Sequence, residues 1–282
     1  MSHPALTSGA VAVITGGASG IGLAAAESFA RAGLKIGIAD LGEDRLAKAA
    51  ERIAAAAPGG KADVLTLATD VSRIEDVRKL QAAVVARFGG VDILMNNAGI
   101  GPGSTIFGPP ENWEKILGVN LWGVINGTQV FGPAMVKRGR SGLIINTGSK
   151  QGITTPPGNP AYNVSKAGVK TFTEALQHEL RNTPDCKISA HLLIPGFVFT
   201  GLTAGSRVEK PAGAWTPEQT VAFMLERLEA GDFYILCPDN ETTRALDERR
   251  MLWAAGDIVE NRPPLSRWHP DHAEAFKAFA AK

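Results

Sequence analysis

Short apolar runs alternate along this chain with longer amphipathic stretches, and that alternation constrains the fold more than any other feature. The runs VAVIT (11–15), KIGIAD (35–40), VLTLATD (64–70), DILMNN (92–97), LIINTGS (143–149), ISAHLLIPG (188–196) and FYILCP (233–238) are each bounded by Gly, Pro, Asn or Asp. Such runs read as strands. Helical patterns fall between them near residues 20–32, 43–57, 73–88, 111–138, 161–182 and 217–230. This strand and helix alternation argues for an α/β fold: a doubly wound parallel sheet of about seven strands, covered by helices on both sides.

The sequence shows no linker, repeat or low-complexity tract, and its 282 residues suit one core. A single domain over residues 1–282 is expected, with a C-terminal extension from about 239 to 282. Within it, TPEQ predicts a capped helix start: Thr216 as cap, Pro217 in the first helical position and Gln219 reaching back. PGG (58–60), GPGSTIFGPP (101–110) and AGSRVEKPAGAW (204–215) read as loops, the last two long enough to shape a pocket. The extension begins as a helix. NRPPLSRWHP (261–270) then carries three prolines, which predicts an extended arm over the surface, anchored by Trp253 and Trp268 near the active-site mouth or a partner subunit.

Several function classes are disfavoured. Net charge is +1 with the basic residues dispersed, which suggests neither a nucleic-acid groove nor an acidic tail. No segment reaches the roughly 20 apolar residues of a membrane span, and the first residues lack the pattern of a signal peptide. A cytoplasmic protein without membrane partners is expected. Cys186 and Cys237 stand alone, and His3, His178, His191, His269 and His272 lack zinc-site spacing, so no metal is expected.

The first strand runs into TGGASGIG, a glycine-rich turn with Gly16, Gly20 and Gly22. Such a turn lets backbone N–H groups and a helix N-terminus meet a pyrophosphate. The second strand ends on Asp40, placed to accept hydrogen bonds from ribose hydroxyls and to repel a 2′-phosphate. Ser19 and Leu41 leave no adjacent cation for that phosphate, so NAD is expected over NADP.

With NNAG (96–99), Asn120 in LGVNLWG, Ser149 in INTGSK, YNVSK (162–166) and PGFVFT (195–200), the chain from about 10 to 238 resembles the short-chain dehydrogenase/reductase family. The resemblance implies a Rossmann-type fold and a dinucleotide held by Gly16, Ser19, Gly20, Ile21, Gly22 and Asp40. It further implies Asp70 and Val71 at the adenine, Asn97 and Gly99 in the cleft, and Pro195, Gly196, Val198 and Thr200 toward the nicotinamide. Asn120, Ser149, Tyr162 and Lys166 would form the catalytic tetrad, with Asn120 helping to keep a proton-relaying water chain and Lys166 also holding the nicotinamide ribose.

Tyr162 and Lys166, four residues apart, share one helix face. A tyrosine with a pKa of about 10 needs neighbouring positive charge to act as a base near neutrality, and Lys166 together with the positive nicotinamide of the oxidised cofactor is expected to lower it. Ser149 would stabilise charge on the substrate oxygen. Ile100, Ile106, Phe107, Phe197, Phe199, Leu202 and Trp215 are expected around an apolar or aromatic secondary alcohol or ketone. Lys150 and Gln151 would contact a polar substituent or point to solvent. The resemblance also implies a homodimer or homotetramer built on the helices near 111–138 and 161–182. A non-catalytic NAD sensor and an epimerase or dehydratase on the same fold stand as alternatives.

Overall fold

The computed structural model describes residues 3–281. Among them, β1 (Val11–Thr15), β2 (Lys35–Asp40), β3 (Val64–Ala68), β4 (Ile93–Asn96), β5 (Gly142–Thr147), β6 (Ile188–Ile194) and β7 (Tyr234–Leu236) form one sheet in the order β3-β2-β1-β4-β5-β6-β7. Every pairing is parallel. The Rossmann-type expectation holds.

Alternation along the strands divides the core. Ala12 and Ile14 of β1, with Ile36, Ile38 and Ile145, face α1 (Gly20–Arg31), α2 (Glu43–Ala56) and α9 (Pro217–Glu229). Val11, Val13, Leu94 and Ile144 face α3 (Ile74–Phe88), α5 (Gly123–Lys137) and α7 (Pro160–Asn182). Period-two side-chain direction in a sheet covered on both faces produces this division. The start of α9 is capped as the sequence predicts: Thr216 Oγ1 accepts the Gln219 N–H at 3.2 Å, and Gln219 Oε1 accepts the Thr216 N–H at 2.8 Å.

The stretch expected as one helix over 111–138 is interrupted. α4 (Pro110–Leu117) and α5 are joined by a π turn at Gly118–Trp122. Gly123 packs so tightly that a Cβ there would stand 2.7 Å from Val71 Cγ2. The wider turn sends Asn120 inward, where it is fully buried, as such turns often do at functional sites. The short helices α6 (Gln151–Thr154) and α8 (Gly201–Ala204) follow β5 and β6.

The extension differs from the extended arm expected. α10 (Arg244–Val259) is followed by 3₁₀ turns at Ser266–Trp268 and Pro270–His272 and by α11 (Ala273–Ala280). Left-handed backbone at Asn261 and Leu265 reverses the chain, so the prolines initiate turns in place of a strap. Trp253 is the anchor: its Nε1–H donates to Ser266 Oγ at 2.7 Å, Arg262 lies 4.1 Å over its ring, and Phe276 and Phe279 flank it at 5.4 and 5.3 Å. Trp268, the second expected anchor, stays 39% exposed beside Arg267. α10 packs against α6, next to Ser149.

Candidate active site

Strand order reverses between β1 and β4, and the crevice this opens at the strand C-termini is where open α/β sheets take ligands. A cleft of about 590 Å³ lies there. Its floor is tied together by Asn97 and Thr15. Thr15 Oγ1 accepts the N–H groups of Asn97 and Ala98 at 2.9 and 3.1 Å. Asn97 Nδ2 donates to Thr15 O at 3.1 Å, and Thr147 Oγ1 donates to Asn97 Oδ1 at 3.3 Å. One side chain thus fixes the ends of β1, β4 and β5. Gly16 and Gly22 make room for it: a Cβ on Gly22 would lie 2.3 Å from Gly16 O and 2.6 Å from Asn97 Nδ2.

Of the expected dinucleotide residues, Gly16, Ser19, Gly20, Ile21, Asp40, Asp70, Val71, Asn97, Gly99, Pro195, Gly196, Val198 and Thr200 all line the cleft. Gly22 sits behind the glycine turn. Asp40 Oδ2 accepts the Ala18 N–H at 3.0 Å and Oδ1 the Leu41 N–H at 2.7 Å, which locks the end of β2 to the turn. Sequence reasoning missed Arg45, which stands 3.5 Å from Asp40 and also lines the cleft. It lies on α2 and folds back to Leu41 O, a return that adjacency to Asp40 did not suggest. Also missed was Asn126 on α5, whose Nδ2 donates to Val71 O at 2.9 Å.

At the far end, Ser149, Tyr162 and Lys166 converge. Pro160 opens α7 in its first turn, and a buried serine, Ser104, receives the Ala161 N–H at 3.0 Å, so the loop after β4 is fixed against the start of this helix. Tyr162 is hydrogen-bonded to Ser149. Ser149 Oγ accepts the Gln151 N–H at 3.2 Å. Lys166 is 3% exposed, its Nζ donating to Thr147 O at 2.8 Å and lying 5.8 Å from the Tyr162 ring centroid. Gly152 lets α6 rest on α7 at this point, since a Cβ there would stand 2.4 Å from the Lys166 carbonyl carbon.

Asn120 does not line the cleft. Its Oδ1 accepts the Ile100 N–H at 2.8 Å and its Nδ2 donates to Ile100 O at 2.9 Å and Ser165 Oγ at 3.3 Å. The side chain clamps the loop after β4 through Nδ2 and one lone pair of Oδ1. The apolar lining also departs from expectation. Ile100 and Leu202 line the cleft and Val119 joins them, but Ile106 and Phe107 are 64% and 99% exposed. Trp215 packs on Phe223 at 5.7 Å and donates to Asn240 Oδ1. Phe197 and Phe199 are half-buried outside the lining, because the backbone of their loop pairs with Trp215. Lys150 turns away from the cleft to Asp239 and Asp247, and Gln151 is exposed.

Residues 10–211 match the family described as short chain dehydrogenase. The chain belongs to the short-chain dehydrogenase/reductase family. This is a family of oxidoreductases. A 1-deoxy-11-beta-hydroxypentalenate dehydrogenase of Streptomyces exfoliatus is 30% identical over 91% of this chain and 93% of its own. A solved short-chain dehydrogenase/reductase from Burkholderia phymatum, in complex with NAD, is 32% identical with a TM-score of 0.82, covering 94% of this chain and 98% of its own. An alcohol dehydrogenase from Thermococcus sibiricus, complexed with 5-hydroxy-NADP, is 30% identical with a TM-score of 0.69 over 78% of this chain and 90% of its own.

Burial sets the electrostatics of this family site. It lowers the Lys166 pKa from 10.5 to about 8. It raises that of Tyr162, opposed by the Ser149 hydrogen bond. Desolvation penalises the phenolate as it penalises the ammonium. Between pH 8 and 10.5 the unfolded chain holds a proton on Lys166 that the folded chain has lost, so this site's contribution to stability rises with pH across that window. Lys166→Met removes that contribution. The stability of wild type relative to the variant, from urea unfolding at pH 7.5, 9 and 10, is expected to rise with pH by up to about 3 kcal/mol.

Proposed function

We propose that the chain is an NAD-dependent oxidoreductase that interconverts a secondary alcohol and a ketone, with Tyr162 as the acid/base. The observation that carries this reading is the meeting of Ser149, Tyr162 and buried Lys166 at one end of a cleft that starts on a glycine-rich turn. The turn fits a pyrophosphate. Gly16 and Gly20 hold φ of +64° and +52°, and added Cβ atoms would meet Ala98 Cα at 2.8 Å and Thr200 Cγ2 at 3.1 Å. Gly16, Ser19, Gly20 and Ile21, with Gly22 behind them, would hold the phosphates, Asp40 the adenosine ribose, Asp70 and Val71 the adenine. Pro195, Gly196, Val198 and Thr200 would hold the nicotinamide beside Asn97 and Gly99, with Lys166 on its ribose.

When bound, the nicotinamide accepts or supplies the hydride. In oxidation, Tyr162 takes the hydroxyl proton of the alcohol while Ser149 donates a hydrogen bond to the same oxygen, and both favour charge that develops there. Lys166 spends one of its three N–H groups on Thr147 O, leaving two for a ribose hydroxyl and a proton path. Below about pH 8 its charge also favours the Tyr162 phenolate. Asn120 acts by clamping Ile100 at the substrate end. Reduction runs the same transfers backwards.

Ile100, Val119 and Leu202 support an apolar or aromatic substrate. The Streptomyces relative, named for a hydroxylated compound, supports an alcohol. The Asp40 carboxylate and the NAD complex of the Burkholderia structure support NAD; Arg45, beside Asp40, leaves room for slower use of NADP. Trp122 and Val164, 55% and 48% exposed beside α5 and on α7, support burial of these helices in a homodimer or homotetramer. Among the described residues no helix is long and apolar enough to cross a membrane.

NADH formation from a panel of aromatic, alicyclic and steroid secondary alcohols tests the reading. Tyr162→Phe is expected to lower kcat by about 10²- to 10⁴-fold with the KM for NAD nearly unchanged. Tight NAD binding without turnover on any alcohol would instead favour a sensor, and a changed product without net NADH an epimerase or dehydratase. In the same assay kcat/KM with NAD is expected to exceed that with NADP by at least about tenfold, and Asp40→Asn to narrow the ratio, because the repelling charge is gone.

A further inference from the structure

Lys150 immediately follows Ser149 and turns into the molecule. Its Nζ lies 2.6 Å from an Asp247 carboxylate oxygen and 3.3 Å from one of Asp239, with the three side chains 14%, 4% and 7% exposed. Asp247 belongs to α10 of the C-terminal extension, and Asp239 to the turn that leads into it. Arg250, also on α10, approaches Asp247 at 4.0 Å and donates to Thr242 Oγ1 at 3.3 Å.

The same cluster carries the loop after β6. Asp239 Oδ2 accepts the Phe197 N–H at 3.2 Å, and its Oδ1 accepts the N–H groups of Glu241 and Thr242 at 3.1 and 2.7 Å. The Lys150 N–H donates to Pro195 O at 3.4 Å. A Cβ on Gly196 would stand 2.6 Å from Asp239 Oδ2 and 2.9 Å from Lys150 Nζ, so the Pro195–Gly196 backbone rests directly on the ion pair. One buried ammonium therefore joins the ends of β5, β6 and β7 to α10. Buried ion clusters add little net stability over apolar packing, yet removing one partner strands the others, so such a cluster holds its neighbours to one arrangement.

We propose that Lys150, Asp239 and Asp247 form a positioning cluster through which the C-terminal extension sets residues 195–200 against the nicotinamide end of the cleft. This rests on the cofactor reading above. α10 then belongs to the active-site architecture, and its influence reaches the cleft through the Gly196 backbone. Small displacements of such a loop change catalysis because positioning itself lowers the barrier.

The test compares wild type with Lys150→Met and with the isosteric Asp247→Asn, which lies outside the cleft and still serves if the first variant fails to fold. Amide exchange is followed in peptides covering 195–203, α1 and α10, alongside kcat and the KM for NAD. Both variants are expected to speed exchange at 197–203 by about tenfold while leaving α1 unchanged. They are also expected to raise the KM for NAD by about tenfold with kcat changed less than about threefold. Faster exchange confined to α10 and α11, with residues 197–203 and the KM at wild-type values, would overturn the proposal and leave the cluster as a fastener for the extension. If wild type reduces no NAD with any alcohol, the cofactor reading has failed, and exchange at 197–203 alone still decides whether the cluster positions this loop.

Discussion

Burying an ammonium beside a phenol is the constraint on which the rest of this site depends. With 3% of Lys166 exposed, desolvation brings its pKa down to about 8 and pushes that of Tyr162 up. Both shifts favour neutral groups, so neither side chain holds its charge strongly against the other. The proposed proton transfer runs between this pair and the substrate oxygen that Ser149 would hold, and solvating both charges with water would weaken the two shifts. Much of the surrounding structure serves to fix the pair: Thr147 O accepts a Lys166 N–H, Gly152 brings α6 onto α7, and Ser104 ties a loop to the start of α7.

The opposite end of the cleft relies on close backbone approach. Gly16, Gly20 and Gly22 let β1, the turn and the Asn97 carboxamide pack at distances a Cβ would forbid. Asn97 then reaches Thr15 on one side and Thr147 on the other. Thr147 is the residue whose carbonyl holds Lys166. The glycine turn and Lys166 are thus joined by a short path of hydrogen bonds across three strand ends, which gives two chemically different ends one rigid floor.

What the sequence revealed was mostly local. The glycine spacing, Asp40 at the end of a strand, and Tyr162 with Lys166 one helical turn apart are short-range patterns with short-range physical reasons, and each lies where those reasons place it. The parallel sheet was legible because short apolar runs alternate with longer amphipathic stretches. Long-range partnerships were not. Nothing beside Lys150 signals Asp239, 89 residues away, or the carboxylate of α10. Asn120 was readable as a polar residue in a helix, but its grip on Ile100 requires a π turn that no periodicity announces. The proline-rich stretch read as an extended arm because prolines forbid continued helix; the reversal at Leu265 and the Trp253 to Ser266 hydrogen bond make it a folded cap.

The account's central claim is that Tyr162 moves a proton to or from an oxygen whose carbon exchanges a hydride with the bound dinucleotide. The most direct measurement is an NMR spectrum of the reduced cofactor formed from NAD and a secondary alcohol deuterated at its carbinol carbon. The account predicts deuterium on one face of the dihydronicotinamide ring, with none of that position filled from solvent. Reduced cofactor free of the label, or a transformed substrate with no labelled cofactor at any time, would contradict it.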